Sequence, residues 1–284
     1  MHPCLRVEEI VRLVASELVA SKAEETSVAL ACCCKNFEDP VLDSLWEIQQ
    51  RLLPLLKSFP GDVWKPDGPT VSVCQQGDFL LLTSLVRKFF KRLPTTLEWA
   101  RFRKYARRMR KVHEPSPLSF LSPEVLSVLQ LYLINELLFP NLKFLLLWNP
   151  NLESIPFILL FLSPRTTTIS IGGFKPGIPE AMIASMIATF QAQCPNLQEI
   201  GLLSLPNDPM VITAVSGLLL TTNRNALQSF HVGCPLTQKA YDVVCKLPGL
   251  HTLAVVIERG PSLPSVVLPN LVRLLIRYSH DVAG

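Results

Sequence analysis

The sequence predicts an α+β chain in two parts: a small N-terminal unit of three short helices, then an α/β solenoid, a horseshoe with a short-stranded parallel sheet. Three observations carry this. Apolar residues recur at helical spacing within the first sixty residues. A Leu-x-x-Leu-x-Leu pattern returns every 21 to 31 residues through the second half. Twenty-four prolines against twelve glycines cut the chain into many short elements, which a purely helical bundle would not tolerate. With 284 residues, 49% of them hydrophobic, the chain is long enough to bury a sizeable core.

In the first helix, EEIVRLVASELVA, residues Ile10, Val11, Leu13, Val14 and Leu18 fall on one broad face. A second helix runs from Glu24 or Thr26 to Cys34, with Val28, Leu30, Ala31 and Cys34 inward. Asp39-Pro40 opens a third, Asp39 as cap and Pro40 at the first helical position, presenting Val41, Leu42, Leu45 and Trp46. So small a bundle barely supports a core alone, so it is expected to dock on a partner.

Residues 5–47 resemble the F-box family in the order and spacing of three elements. These are Glu9-Ile10-Val11-x-x-Val14-x-x-x-Leu18, then Leu30-Ala31-x-Cys33-Cys34-Lys35-x-Phe37, then Leu45-Trp46. The family's opening Leu-Pro is absent; Arg6-Val7-Glu8 stands there. The chain is similar in this to F-box proteins abundant in mushroom-forming (basidiomycete) fungi. The resemblance implies that Glu9, Ile10, Val11, Val14, Cys34, Lys35, Phe37, Leu45 and Trp46 face a Skp-type adaptor. Trp46 and Phe37 are equally readable as core. The run Cys32-Cys33-Cys34 falls on the family's Val-Cys-Lys turn and reads as core packing. No C-x-x-C occurs, no metal site is proposed, and reduced thiols are expected.

Charge is unevenly placed. Residues 1–60 hold six Lys/Arg and nine Asp/Glu, whereas residues 84–114 hold eleven and two. In the second segment Thr95-x-x-Glu98 is a capping box, and Trp99, Phe102, Ala106 and Met109, flanked by Tyr105, form an apolar stripe. This predicts an amphipathic helix over 96–112 that caps the following array with a solvated basic face, stopped by Pro115 and Pro117. Nucleic-acid binding or nuclear import is the other reading of such a face. It is disfavoured because the aromatic residues lie on the buried stripe and do not interleave with the basic one.

From about residue 118 the repeat begins at Leu142, Thr166 (a weaker copy), Leu197, Leu227, Leu250 and Leu271. Pro140-Asn141, Pro195-Asn196, Pro248-Gly249 and Pro269-Asn270 precede four of these. CPNLQEIGLLSL and LPNLVRLLIRYS carry a resemblance to irregular leucine-rich repeats. In each unit the fourth and sixth positions point inward, and a return segment such as PEAMIASMIATFQAQC leads to the next strand. One unit cannot bury its apolar face; stacked units share a core. The runs KFLLLW and FILLFL are therefore expected in the core rather than in a membrane. The last residues, RYSHDVAG, offer no polar capping repeat, so the chain reads as a piece of a longer protein.

The expected domains are 1–60 (helical), 61–117 (connector with the basic helix) and 118–284 (solenoid). No nucleophile elbow, P-loop, dinucleotide fingerprint or zincin motif is present, so no catalysis and no cofactor are predicted. No signal peptide is evident, so a cytoplasmic or nuclear location is expected. The two resemblances imply a substrate receptor of a cullin ubiquitin ligase, with an unknown protein substrate on the concave face. The strand residues that alternate outward are Phe144, Leu146, Trp148, Glu199, Leu203, Ser229, His231, Thr252, Val256, Arg273, Leu275 and Arg277. The apolar trio of the first strand reads as an anchor site or as a patch covered by the connector helix, the latter preferred. The alternative to a receptor is a repeat scaffold whose N-terminal helices only cap the solenoid.

Overall fold

The computed structural model describes residues 7–66, 88–114, 123–133, 136–223, 225–257 and 270–278. Cys4, Cys74, Pro115, Pro117, residues 279–284 and the side chain of Arg277 lie outside what is described.

The chain is an α/β protein built on an open parallel sheet of eight strands, an arrangement compatible with a solenoid. Three helices come first: α1 (Glu8–Ala20), α2 (Glu24–Cys33) and α3 (Lys35–Glu47). Then follow β1 (Ile48–Gln49), α4 (Leu53–Leu56), β2 (Trp64–Pro66), β3 (Lys88–Phe90), α5 (Thr96–Ala106), β4 (Lys111–Glu114) and α6 (Pro123–Tyr132). The repeats supply β5 (Phe144–Trp148), α7 (Ile155–Ile158), β6 (Thr168–Gly172), α8 (Glu180–Gln193), β7 (Glu199–Leu202) and α9 (Pro209–Thr221). They end with β8 (Ser229–Val232), α10 (Gln238–Val244), β9 (Thr252–Ile257) and β10 (Arg273–Tyr278). The sheet runs β1-β4-β5-β6-β7-β8-β9-β10; β2 and β3 form a separate antiparallel pair.

The six motif copies align in the sheet. Leu145, Ile169, Ile200, Phe230, Leu253 and Leu274 form one register row, and Thr166 stands where Leu142 and Leu197 stand in their units. Thr166 is wholly buried, and its hydroxyl donates to the Leu142 carbonyl at 3.2 Å, so the polar substitute is satisfied. The turn asparagines stitch neighbouring units. Asn141, Asn196 and Asn270 each donate a side-chain N–H to a carbonyl of the preceding unit, those of Arg107, Pro164 and Pro248.

The ladder begins earlier than the motif count does. At each strand entry two successive N–H groups share one carbonyl of the previous strand: Lys143 and Phe144 on Arg110, Thr167 and Thr168 on Lys143, Gln198 and Glu199 on Thr167. Arg110 itself donates to the Glu47 carbonyl at 2.9 Å. The segments 1–60 and 61–117 thus each contribute a strand to the sheet. The expected helix over 96–112 stops at Ala106, because Met109 and Val112 take the inward positions of a strand unit and are fully buried.

Two clusters of buried side chains result. The larger runs from Leu52 to Val255 and includes Trp99, Phe102 and Ala106 of α5 together with Leu145 and Leu147 of β5. The FILLFL run is core here, with Ile158 and Leu162 buried, and α8 buries Ile183, Met186, Ile187 and Phe190. The smaller cluster holds the N-terminal helices together through Val11, Ala15, Phe37 and Val41. Among the described residues no helix is long and apolar enough to cross a membrane.

Several N-terminal expectations change. The face of α1 that packs is Val11 and Ala15; Leu13 and Val14 are exposed, since α3 approaches over the small Ala15. In α2 the buried position is Ser27, so Val28 points outward. The third helix starts at Lys35, not at Pro40, with Pro40 inside it and Asp39 in a helical turn rather than as its cap. Cys32 and Cys33 are exposed and only Cys34, in an extended link between helices, is partly buried; the run is not core packing.

Candidate functional site

The adaptor candidates separate by exposure. Val11 and Phe37 are in the small core, Ile10, Cys34, Leu45 and Trp46 are half-buried, and Glu9, Val14 and Lys35 are exposed. Trp46 stacks on Tyr105 of α5, ring centroids 4.7 Å apart, so its indole faces the rest of the protein. Outside the unit, Leu13, Val14 and Val28 leave apolar surface to solvent. Beside Val28 lies a recess of about 500 Å³ between α2 and α3, lined by Ala31, Cys34, Leu42 and Leu45.

The basic helix is fixed to this unit by charge. Lys104 reaches Glu38 at 2.8 Å, Arg108 donates to both Asp39 and Asp43, and Arg12 of α1 reaches Asp43 at 3.1 Å. Arg103 holds both Glu136 oxygens at 2.7 Å and its guanidinium lies 5.5 Å from the Tyr132 ring centre. The basic face is therefore only partly solvated: Arg103 and Arg108 are half-buried, while Arg101, Lys104, Arg107, Arg110 and Lys111 are exposed. The capping box forms as expected, Thr95 N–H to Glu98 at 2.6 Å and Glu98 N–H to Thr95 Oγ1 at 3.4 Å. The Arg92 guanidinium, and after it the Thr95 backbone, hold the Glu98 carboxyl down at about 2.

Among the described residues, helices pack on one face of the sheet, and the outward residues of the other face are half-buried or exposed. Outward residues line up in register across the uncovered face. One row is Lys111, Phe144, Thr168, Glu199, Ser229, Thr252 and Arg273. The next is His113, Leu146, Ser170, Gly201, His231, Ala254 and Leu275. Phe144, Leu146 and Trp148 are half-buried in this surface, and Leu203 and Val256 lie at its far side. Helix α5 does not cover the apolar trio, since its stripe is buried with Leu145 and Leu147 on the opposite face. The backbone of Arg277 belongs to this register, opposite Val256. Lys111, His113, Thr168, Ser170, Gly201 and Ala254 complete the face. Counting register within each motif copy finds Thr168, Ser170, Gly201 and Ala254, whereas Lys111 and His113 lie before the first copy and carry no such signal.

At the β7–β10 end the face dips into a recess of about 400 Å³, with Leu203, His231, Thr252, Ala254, Arg273 and Leu275 among its lining. His231 sits 3.3 Å from Ser229 Oγ. Burial, and then the charge of Arg273, lower its pKa, against a weaker pull upward from Glu199. At the other end burial and Lys111 lower that of His113, whose ring lies 5.0 Å from Phe144. The deeper thiols are shielded: burial pushes Cys234 up to about 12. Among the described residues no group of three or more His, Cys, Asp or Glu could hold a metal ion.

Fold and surfaces together define an α/β protein with an open parallel sheet, a helical N-terminal unit and one uncovered sheet face. Comparison with protein-family models, with curated proteins and with solved structures finds no match in any of the three.

Proposed function

We propose that this chain is the substrate-recognition subunit of a Skp–cullin–F-box ubiquitin ligase. Its N-terminal helices dock on the adaptor, and the uncovered face of a leucine-rich-repeat sheet holds a protein target. The protein carries out no covalent step; it raises the target's effective concentration near the ligase. The observation that carries the reading is the N-terminal unit itself. Its core among the described residues is four buried side chains; it leaves Leu13 and Val14 exposed on α1, and Val28 exposed at a recess that Ala31, Leu42 and Leu45 line together with Lys35 and Glu38. Several large apolar side chains left exposed on so small a unit support its packing against another polypeptide. The adaptor-facing set is accordingly drawn from Ile10, Leu13, Val14, Val28, Cys34 and Leu45, with Trp46 assigned to the internal seam.

Co-expression with a Skp-type adaptor tests this. A stable complex lost on Val14→Asp/Val28→Asp supports the reading, and failure of the wild-type chain to co-purify sinks it.

A second reading, a repeat scaffold outside any ligase, draws support from the same seam. The ion pairs to Glu38, Asp39 and Asp43, the Trp46–Tyr105 stack and the pairing of β1 with β4 are what a capping unit would make. In that case the adaptor experiment is negative while loss of the N-terminal helices still lowers the stability of the sheet.

A further inference from the structure

The uncovered face carries few charges among its described residues, and they are spaced apart. Lys111, Glu199 and Arg273 stand in one row, Glu199 and Arg273 separated by the strands that carry Ser229 and Thr252. Three strand spacings are about 14 Å, beyond the roughly 8 Å over which exposed charges act in physiological salt. Arg273 is exposed, and no ion pair is formed by it among the described residues. It stands at the rim of the recess, with the Thr252 hydroxyl beside it in the row. The small Ala254 and the apolar Leu203 and Leu275 are also part of its lining. A charged rim on an apolar hollow discriminates by sign: like charge is repelled and opposite charge is held by the guanidinium fork.

We propose that the target segment taken by this face carries a carboxylate side chain next to an apolar one. The carboxylate binds Arg273 and the apolar side chain enters the hollow over Ala254, between Leu203 and Leu275. The inference rests on the reading of this face as the target surface and adds the chemistry of what it selects. Burial first, and then the charge of Arg273, lower the proton affinity of His231, which accords with a hollow unfavourable for a cation.

The test uses the full chain, immobilised and panned against a displayed library of random linear peptides. Enriched sequences are then synthesised with a fluorophore and titrated. The expected result is enrichment of Asp or Glu adjacent to a large apolar residue. Arg273→Glu should weaken these peptides by about tenfold or more. When panned itself, that variant should enrich Lys or Arg at the same place. Because Arg273 is exposed, the variant should melt with the wild type, which separates lost contact from lost fold. Enriched peptides without an acidic preference, or indifferent to Arg273→Glu, would overturn the inference and leave the target-surface reading standing. No enrichment at all would overturn both, as would a concentration-dependent dimer in which a second copy of the chain occupies the face.

Discussion

Arg108 donates to Asp43 across the seam between the basic helix and the N-terminal unit, with the arginine side chain only 12% exposed. Its other terminal nitrogen serves Asp39, and Arg12 meets Asp43 from the far side. The acidic surplus of the first sixty residues and the basic surplus of residues 84–114 thus neutralise each other at one joint, next to the Trp46–Tyr105 stack. The joint sets the direction in which the N-terminal helices face relative to the open sheet.

Removing Asp43 leaves the largely buried Arg108 only the exposed Asp39 and takes from Arg12 its partner across the seam. Asp43→Ala should lower stability by roughly 2–3 kcal/mol, as expected for a largely buried pair broken on one side. Glu38→Ala, which breaks the exposed Lys104 pair, should cost less than about 1 kcal/mol. Chemical denaturation of the two variants measures both. Near-equal effects would show that Arg108 is as well solvated as Lys104.

Acid should weaken the start of the basic helix through Glu98. Its carboxyl falls from 4.5 to about 2 on folding, so the folded state binds fewer protons than the unfolded one between those values. The stability it contributes is complete above 4.5 and is lost as pH falls toward 2. Melting temperature followed against pH should drop across that window, and Glu98→Gln should flatten the drop while lowering the melting temperature near neutrality. A variant as steep as the wild type would assign the acid sensitivity to other carboxylates.

The N-terminal unit should respond in opposite ways at its two kinds of apolar position. Phe37→Ala empties a four-residue core and should cost about 3–5 kcal/mol, enough to melt the helices separately from the sheet. Val14→Asp and Val28→Asp are on the surface and should shift stability by about 0.5 kcal/mol or less. Circular dichroism separates the two classes, and only the second is informative about adaptor binding.

These contrasts also mark how far the sequence could be read. The rows of the sheet were legible because inward positions sit at fixed offsets within each motif, and even Thr166 kept its place. The first units were not, because Met109-x-x-Val112 is a faint copy that continues an amphipathic stripe at helical spacing. Helical and strand readings agree there until Ala106. On α1 several columns of apolar residues were available, and only the approach of α3 over Ala15 decides which column is buried. The uncovered face is half legible: its outward residues follow from alternation, but Lys111 and His113 belong to a strand whose first residues continue the helical pattern expected over 96–112. That the acidic and basic segments touch is a tertiary fact with no local signal.

Two glycines make the packing of the uncovered face testable, and a third, in helix α9, serves as a control. A Cβ at Gly233 would lie 2.6 Å from the backbone nitrogen of Ser204, which already holds a left-handed conformation with φ 56°. Backbone cannot give way cheaply, so Gly233→Ala should cost about 1–3 kcal/mol. At Gly172 the nearest atom is Trp148 Cζ3 at 2.5 Å, on a ring that can swing into solvent. Gly172→Ala should therefore cost less, but should shift tryptophan emission as the ring leaves its place against β6. Gly217 lies inside α9 with nothing within 4 Å of its Cβ position, so Gly217→Ala should stabilise by about 0.5–1 kcal/mol through helix propensity alone. The predicted order of melting temperatures is Gly217→Ala, wild type, Gly172→Ala, Gly233→Ala. An inverted order for the last two would mean that Trp148 is pinned and the turn at Ser204 is free to move.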